Sequence, residues 1–246
     1  MRFTAQPVSP PHDGVREQLF SLGGVPGVLW VPEGAPGTRP LVLIGHGGGR
    51  HKKDPGIVAF AHRLARDLGY AVAAVDVPGH GDRPSDPELD RLAGENRARI
   101  EAGADRYALV ADFQAVAARR TVPEWRAVLD ALQGLEHVGP GPVGYWGVSL
   151  GCALGVPFVA AEPRVRAAVL GLSGVRALAD AAARVTVPVR FLLQWDDERV
   201  PRAEGLALFD ALGSPVKTLH ANPGPHTDPP PHETDGAVGF FARHLV

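Results

Sequence analysis

A serine flanked by two glycines, at the junction of a strand and a helix, is the feature that most constrains how this chain can fold. It lies in Gly147-Val148-Ser149-Leu150-Gly151. The apolar run 143–146 predicts a short strand, and residues 150–158 carry apolar side chains at helical spacing. Side chains two residues before and after the serine would collide in so tight a turn, and glycine removes them. A glycine-rich turn with an idle serine has the same pattern, so its meaning depends on the rest of the chain.

Apolar runs that predict buried strands alternate with amphipathic segments that predict helices. The run 41–44 is followed by a helical pattern at 57–68, and further apolar runs occupy 70–77, 167–172 and 187–194. Continuous apolar strands separated by helices are typical of an α/β protein with a mostly parallel central sheet and helices on both faces. We predict this fold class for the chain.

The first two predicted strands form a hairpin. Residues 16–22 and 25–31 flank Gly23-Gly24, which is a strong two-residue turn signal. Pro26 has no N–H to donate to a neighbouring strand. It therefore predicts that the second strand lies at an edge of the sheet.

The stretch 84–120 is longer than a connection between a strand, a helix and the next strand requires. Its apolar residues predict two helices with charged outer faces. The sequence Thr121-Val122-Pro123-Glu124 then predicts the start of a further helix, through a capping box with proline in the first turn. We interpret 84–120 as a helical insertion or lid within a single domain that spans 1–246. A surface elaboration without a functional part is the alternative.

Composition and charge narrow the classes of function. The chain has 246 residues, a formal net charge of −2 and no long run of one charge, which argues against binding to nucleic acid or to a membrane surface. A single cysteine, Cys152, excludes an intrachain disulfide and a multi-cysteine metal site. Residues 1–14 lack the apolar segment of a signal peptide, and no apolar run is long enough to cross a membrane. We therefore expect a soluble, cytoplasmic protein.

Glycine-rich and polar loops follow the predicted strands, at the edge of a parallel sheet where ligands bind. The glycines 47–49 follow the strand 41–44, and their N–H groups are suited to stabilise a developing oxyanion; a flexible loop is the alternative. Arg50-His51-Lys52-Lys53 beside them is a basic cluster that either attracts an anionic substrate or, as we favour, is a solvated loop face. For His80, in the loop after 70–77, we favour a structural role over one that faces the site.

Two later loops complete a set of catalytic residue types. The loop 195–201 is acidic, and the loop 222–228 contains a histidine. A serine hydroxyl needs a base to take its proton; imidazole does so near neutral pH, and a carboxylate fixes its tautomer and stabilises its charged form. The order Ser149, Asp197, His226 is the chain order of the triad in one serine-hydrolase fold, the α/β-hydrolase fold.

Five motifs together resemble a known superfamily. They are His46-Gly47-Gly48-Gly49, Asp76-Val77-Pro78-Gly79-His80-Gly81, Gly147-Val148-Ser149-Leu150-Gly151, Asp197-Glu198-Arg199-Val200-Pro201 and Pro223-Gly224-Pro225-His226. From about residue 41 to its end, the chain is similar to α/β hydrolases of the broad esterase and dienelactone-hydrolase-like group. The resemblance implies that the N–H groups of Leu150 and Gly48 are the oxyanion donors. A dienelactone hydrolase proper is expected to carry cysteine where Ser149 stands, and we expect Cys152 to pack beneath the turn.

The same resemblance chooses among the candidate acids and bases. It implies Asp197 rather than Asp196, because two residues and then Val-Pro follow it. It implies His226 rather than His220 or His232, because His226 follows a Pro/Gly turn after the last strand.

The resulting prediction is a serine hydrolase that cleaves a carboxylic ester of a small molecule through an acyl-enzyme. No cofactor is expected, and a metal pair formed by His226 and His232 is only weakly supported. One alternative is the same triad acting on an amide, a peptide, a thioester or a carbon–carbon bond. Another is a non-catalytic binding protein of the same fold. The sequence leaves the substrate-binding residues and the oligomeric state undetermined.

Overall fold

A nine-stranded sheet forms the centre of the computed structural model, which describes residues 1–3, 13–34 and 37–245. The strands are β1 (Arg2–Phe3), β2 (Val15–Leu22), β3 (Val25–Pro32), β4 (Leu41–Gly45), β5 (Ala71–Val75), β6 (Val143–Val148), β7 (Val165–Gly171), β8 (Val189–Gln194) and β9 (Lys217–Asn222). The helices are α1 (Pro55–Leu68), α2 (Pro87–Glu101), α3 (Arg106–Gln133), α4 (Leu150–Ala161), α5 (Ala179–Ala182), α6 (Arg202–Ala211) and α7 (His232–His244). In these described ranges no helix combines the length and the apolar character that a membrane crossing needs.

The strand order explains where the functional loops meet. It is β1-β2-β3-β5-β4-β6-β7-β8-β9, with β1 to β3 antiparallel to their neighbours and β4 to β9 parallel. Because parallel strands all end at the same edge, the loops after β4, β5, β6, β8 and β9 converge there. The predicted mostly parallel α/β sheet is confirmed.

Alternate side chains of each central strand enter two separate cores. Leu43 and Tyr145 point to the face covered by α3 and α4, where Tyr145 packs against Trp125. Val42 and Ile44 point to the opposite face, which α1 and α7 cover. Both faces are therefore buried, which is why these strands are apolar throughout.

Pro26 does not mark a sheet edge, so that prediction was wrong. Strand β3 lies between β2 and β5. Its pairing with β5 begins only at Gly27, one residue after the proline. There the proline carbonyl accepts a hydrogen bond from the N–H of Asp76, and no N–H is required of Pro26. A proline at the end of a ladder is thus tolerated in an interior strand.

The helix predicted to begin at Thr121 does not begin there, because α3 runs without a break from Arg106 to Gln133. The hydroxyl of Thr121 donates to the carbonyl of Ala117, four residues back, instead of capping a new helix. Glu124 pairs with Arg83. Helix α2 and the first half of α3 occupy the predicted insertion, and the second half of α3 is part of the core.

Candidate active site

The turn between β6 and α4 holds Ser149 in a backbone conformation that non-glycine residues rarely adopt, with φ 57° and ψ −121°. The flanking glycines make this possible. A Cβ on Gly147 would lie 2.6 Å from the carbonyl oxygen of Gly151, and a Cβ on Gly151 would overlap the carbonyl oxygen of Gly45. The two glycines are therefore required by close backbone contacts on both sides of the serine.

Ser149, His226 and Asp197 form a continuous chain of hydrogen bonds. The Oγ of Ser149 lies 2.9 Å from Nε2 of His226, and Nδ1 of His226 lies 2.7 Å from Oδ2 of Asp197. A carboxylate can only accept, so Nδ1 carries the proton, and Nε2 of the neutral ring is left to accept from the serine hydroxyl. The side chains of His226 and Asp197 are 5% and 4% exposed.

Asp197 is held in its ionised form by its surroundings. Burial by itself would raise its pKa, but the hydrogen bond from His226 and those from the N–H groups of Val200 and Arg199 outweigh burial and lower the pKa. Both N–H groups donate to Oδ1, at 2.9 Å and 2.8 Å. The charged carboxylate thus stays available to orient and stabilise the imidazole near neutral pH.

The other acids and histidines close to Asp197 and His226 in the sequence have different partners. Asp196 accepts from the N–H of Gly224, and Glu198 accepts from the N–H of His226, so both acids fasten the acid loop to the histidine loop. His220 contacts Arg190, and His232 is an exposed residue 3.7 Å from Glu233. Within the described ranges, no three His, Cys, Asp or Glu side chains are grouped as metal ligands.

Gly48 and Leu150, the predicted oxyanion donors, approach each other beside Ser149. A Cβ built on Gly48 would lie 4.0 Å from the Cβ of Leu150. Among the described residues, neither backbone N–H donates a hydrogen bond. Leu150 is the first residue of α4, where helical N–H groups have no partner within the helix. Two free donors therefore lie near the serine hydroxyl.

His46 fixes the glycine loop, a role that the sequence analysis missed. Its buried ring accepts the N–H of Val77 at Nε2, so Nδ1 carries the proton and donates to the carbonyl of Gly47 at 2.9 Å. Because C=O and N–H of one trans peptide point in opposite directions, holding the Gly47 carbonyl also fixes the N–H of Gly48. The position of this histidine directly before the glycines was the available signal.

Three residues of the basic cluster 50–53 form ion pairs, and only Lys52 of the four is buried. Lys52 is buried, and its ammonium lies 2.6 Å from carboxylate oxygens of both Asp76 and Asp82. Arg50 pairs with Asp54, and Lys53 pairs with Glu17. The interpretation of this segment as a solvated loop face was therefore wrong for Lys52, which ties the glycine loop to the loop after β5.

A cavity of about 360 Å³ opens over the serine. Gly48, Ser149, Leu150 and His226 line its floor, and the first half of α3 supplies a wall that includes Tyr107, Val110 and Phe113. His80 also lines the cavity, with Nδ1 donating to the carbonyl of Pro78. The structural role favoured for His80 is thus incomplete, because part of the ring faces the site.

Two contacts hold this wall against the core. The hydroxyl of Tyr107 donates to Glu204 of α6 at 2.8 Å, and Arg176 forms two hydrogen bonds of 3.0 Å with Asp112. Burial, together with the carboxylate of Glu204, raises the pKa of Tyr107.

Cys152 lies on the other side of the turn, fully buried, and burial raises its pKa to about 12, so it remains a neutral thiol.

The arrangement has counterparts among known proteins. A family model described as the alpha/beta hydrolase fold matches residues 40–209, which is more than half of the chain. The chain belongs to the α/β-hydrolase family. The predicted superfamily and fold are therefore confirmed. None of the curated proteins matches this α/β hydrolase.

Solved structures resemble this α/β hydrolase over its whole length. The PEG-bound complex of a cold-adapted esterase from an Arctic intertidal metagenomic library is 36% identical over 100% of both chains, with a TM-score of 0.82. A native structure of a cold-adapted esterase from such a library is 34% identical over 100% of both chains, with a TM-score of 0.76. An acetyl xylan esterase from Paenibacillus sp. R4 is 16% identical over 98% of this chain and 90% of its own, with a TM-score of 0.69, and supports the fold alone.

Proposed function

We propose that this α/β hydrolase is a serine esterase that cleaves carboxylic esters of small molecules through an acyl-enzyme. The observation that carries the proposal is the hydrogen-bonded chain from Ser149 Oγ to His226 to Asp197, at 2.9 Å and 2.7 Å, under an open cavity. The 36% identity to an esterase over the full length of both chains supports an ester as the bond cleaved. The predicted cytoplasmic location and the absence of nucleic-acid and membrane partners stay predictions.

The first half of the reaction forms the acyl-enzyme. Ser149 Oγ attacks the ester carbonyl while Nε2 of His226 takes the hydroxyl proton, and Asp197 stabilises the resulting imidazolium. The carbonyl oxygen becomes an oxyanion, which accepts hydrogen bonds from the N–H groups of Leu150 and Gly48. The intermediate collapses, the C–O bond to the alcohol breaks, and His226 gives the proton to the departing alkoxide.

The second half releases the acid. A water molecule attacks the acyl carbonyl while His226 takes one of its protons, and the same two N–H groups bind the new oxyanion. Collapse breaks the bond to Ser149 Oγ, which recovers its proton from His226. Every proton is carried by this one imidazole, so the proposed reaction needs no cofactor.

The cavity size and the helical wall bear on the substrate. A volume of about 360 Å³ suits a small acyl group rather than a polymer chain. We propose that α2 and the first half of α3 act as a lid-like insertion in the single domain. The first half of α3 lines the cavity over the serine and α2 packs against it, so the side chains of α3 select the acyl group.

The test is hydrolysis of 4-nitrophenyl butyrate by the wild type, Ser149→Ala and Ser173→Ala. Ser173 is a buried serine that lines the same cavity, and the described partners of the His226 ring are Ser149 and Asp197, so Ser173 is a matched control. We expect Ser149→Ala to lose roughly 10⁴-fold or more in kcat and Ser173→Ala to stay within about threefold. Full activity in folded Ser149→Ala would refute the mechanism. A wild type inert on esters but active on a matched anilide or thioester would move the assignment to another acyl bond.

A further inference from the structure

The charges that line the cavity over Ser149 are all of one sign. Three arginines contribute to the wall, Arg106, Arg176 and Arg199, and the described lining contains no aspartate or glutamate. The buried Asp197 lies behind His226 and is neutralised in part by its own hydrogen bonds. A substrate inside the cavity therefore meets three arginines, and the carboxylates that pair with two of them lie outside the lining.

Arg106 differs from the other two arginines because no residue in the described part of the chain pairs with its side chain. Arg176 is engaged by Asp112 and Arg199 by Glu198. Among the described residues, no hydrogen bond or ion pair is made to the guanidinium of Arg106. It is the first residue of α3, where the helix dipole adds positive potential, and the neighbouring Asp105 carboxylate is occupied by the N–H groups of Tyr107 and Ala108.

An apolar stripe on α3 lies beside Arg106 along the cavity wall. Val110 and Phe113 follow it at helical spacing, and both line the cavity. Seven residues of helix span about 10 Å, which is the length of an extended chain of several methylene groups. The wall therefore offers an apolar surface that ends in an unpaired cation.

We propose that the site is built for esters whose acyl chain carries a carboxylate at its far end, with Arg106 binding that carboxylate. This inference rests on the proposed esterase function and names its substrate class. We assign the anion to the acyl side because the acyl group stays attached to Ser149 through both steps, so one contact to Arg106 positions it for both. A guanidinium is suited to a carboxylate because its N–H groups match the two oxygens.

The test compares two esters of equal chain length, mono-4-nitrophenyl adipate and 4-nitrophenyl hexanoate, with spontaneous hydrolysis subtracted. The readout is the ratio of their kcat/KM values, which general damage to the enzyme would not change. We expect the wild type to prefer the adipate and Arg106→Gln to lower the ratio about fivefold, as for an exposed ion pair. Arg106→Lys, which keeps the charge, should retain at least half of the preference.

Arg119→Gln is the matched control. Arg119 is an exposed arginine of the same helix, does not line the cavity, and lies about 20 Å farther along the axis. Arg119→Gln removes the same charge as Arg106→Gln and should leave the ratio of the two kcat/KM values unchanged. Turnover of hexanoate without a preference for adipate, or a ratio that Arg106→Gln does not alter, would overturn this inference alone. A wild type that cleaves neither ester would instead refute the proposed function on which it rests.

Discussion

Acidification should weaken the fold by protonating His46 beneath the glycine loop. This imidazole accepts a hydrogen bond from the N–H of Val77 at Nε2. Protonation of Nε2 would replace that hydrogen bond with two N–H groups that face each other and repel. The surroundings lower the pKa of His46 from 6.5 to about 4: burial is the main cause and the nearby His80 adds to it, while the Gly47 carbonyl and Asp76 oppose the shift. In the unfolded chain the same group titrates near its ordinary value.

The sign and the size of the effect follow from this difference in pKa. Between pH 6.5 and about 4 the unfolded chain binds the proton and the folded protein does not. The contribution of the neutral His46 to the free energy of unfolding is therefore complete above pH 6.5. It decreases as the pH is lowered, until the folded protein also binds the proton near pH 4. From pH 7.5 to pH 5 the loss from this one group is about 2 kcal/mol.

The assay is urea denaturation across that pH range for the wild type and His46→Gln. Glutamine can accept from Val77 and donate to Gly47 through its amide, but it does not titrate. Other groups contribute to the pH dependence of both proteins, so the difference between the two isolates His46. We expect the wild type to lose about 2 kcal/mol more than the variant between pH 7.5 and pH 5. Parallel pH dependences would refute the reasoning.

Three further predictions concern the residues around the serine. Lys52→Met leaves the buried Asp76 without its cation and should lower the free energy of unfolding by about 3 kcal/mol in urea denaturation; Lys52→Met with Asp76→Asn should recover part of that loss. Gly151→Ala should lower both thermal stability and kcat, because its Cβ would overlap the backbone of Gly45. Its control is Gly94→Ala on α2, where the Cβ has open space; this change should leave kcat unchanged and raise Tm slightly. Asp197→Asn should lower kcat roughly 10³-fold or more with little change in KM for 4-nitrophenyl butyrate.

The parts of the fold that were predictable from sequence depend on local patterns. The run 41–44 is apolar throughout because both faces of β4 are covered, and that continuity identified a central strand. Gly147 is required by a backbone atom of Gly151, four residues along, so this part of the turn is encoded in a five-residue pattern, whereas the contact of Gly151 with Gly45 joins distant parts of the chain. The continuity of α3 was not predictable, because a hydroxyl such as that of Thr121 can cap a helix or bond back into one.

The contacts that organise the site across long separations could not be read from the sequence. Lys52 meets Asp76 after 24 residues, and Tyr107 meets Glu204 after 97. Neither pair has a local signature, since a charged or phenolic side chain in a loop or on a helix is usually solvated. The unpaired state of Arg106 is likewise a property of its surroundings, because its neighbours in the chain include an acid, Asp105, that serves another purpose.

The most direct test of the account is intact-protein mass spectrometry, with peptide mapping, after reaction with a 4-nitrophenyl phosphonate. The phosphonate is a substrate-like electrophile that a serine activated by His226 attacks and retains. We predict one adduct per chain, located on Ser149, with no adduct on Ser149→Ala and slow labelling of His226→Ala. An unlabelled wild type, or an adduct that persists in Ser149→Ala, would contradict the proposal that Ser149 is the nucleophile.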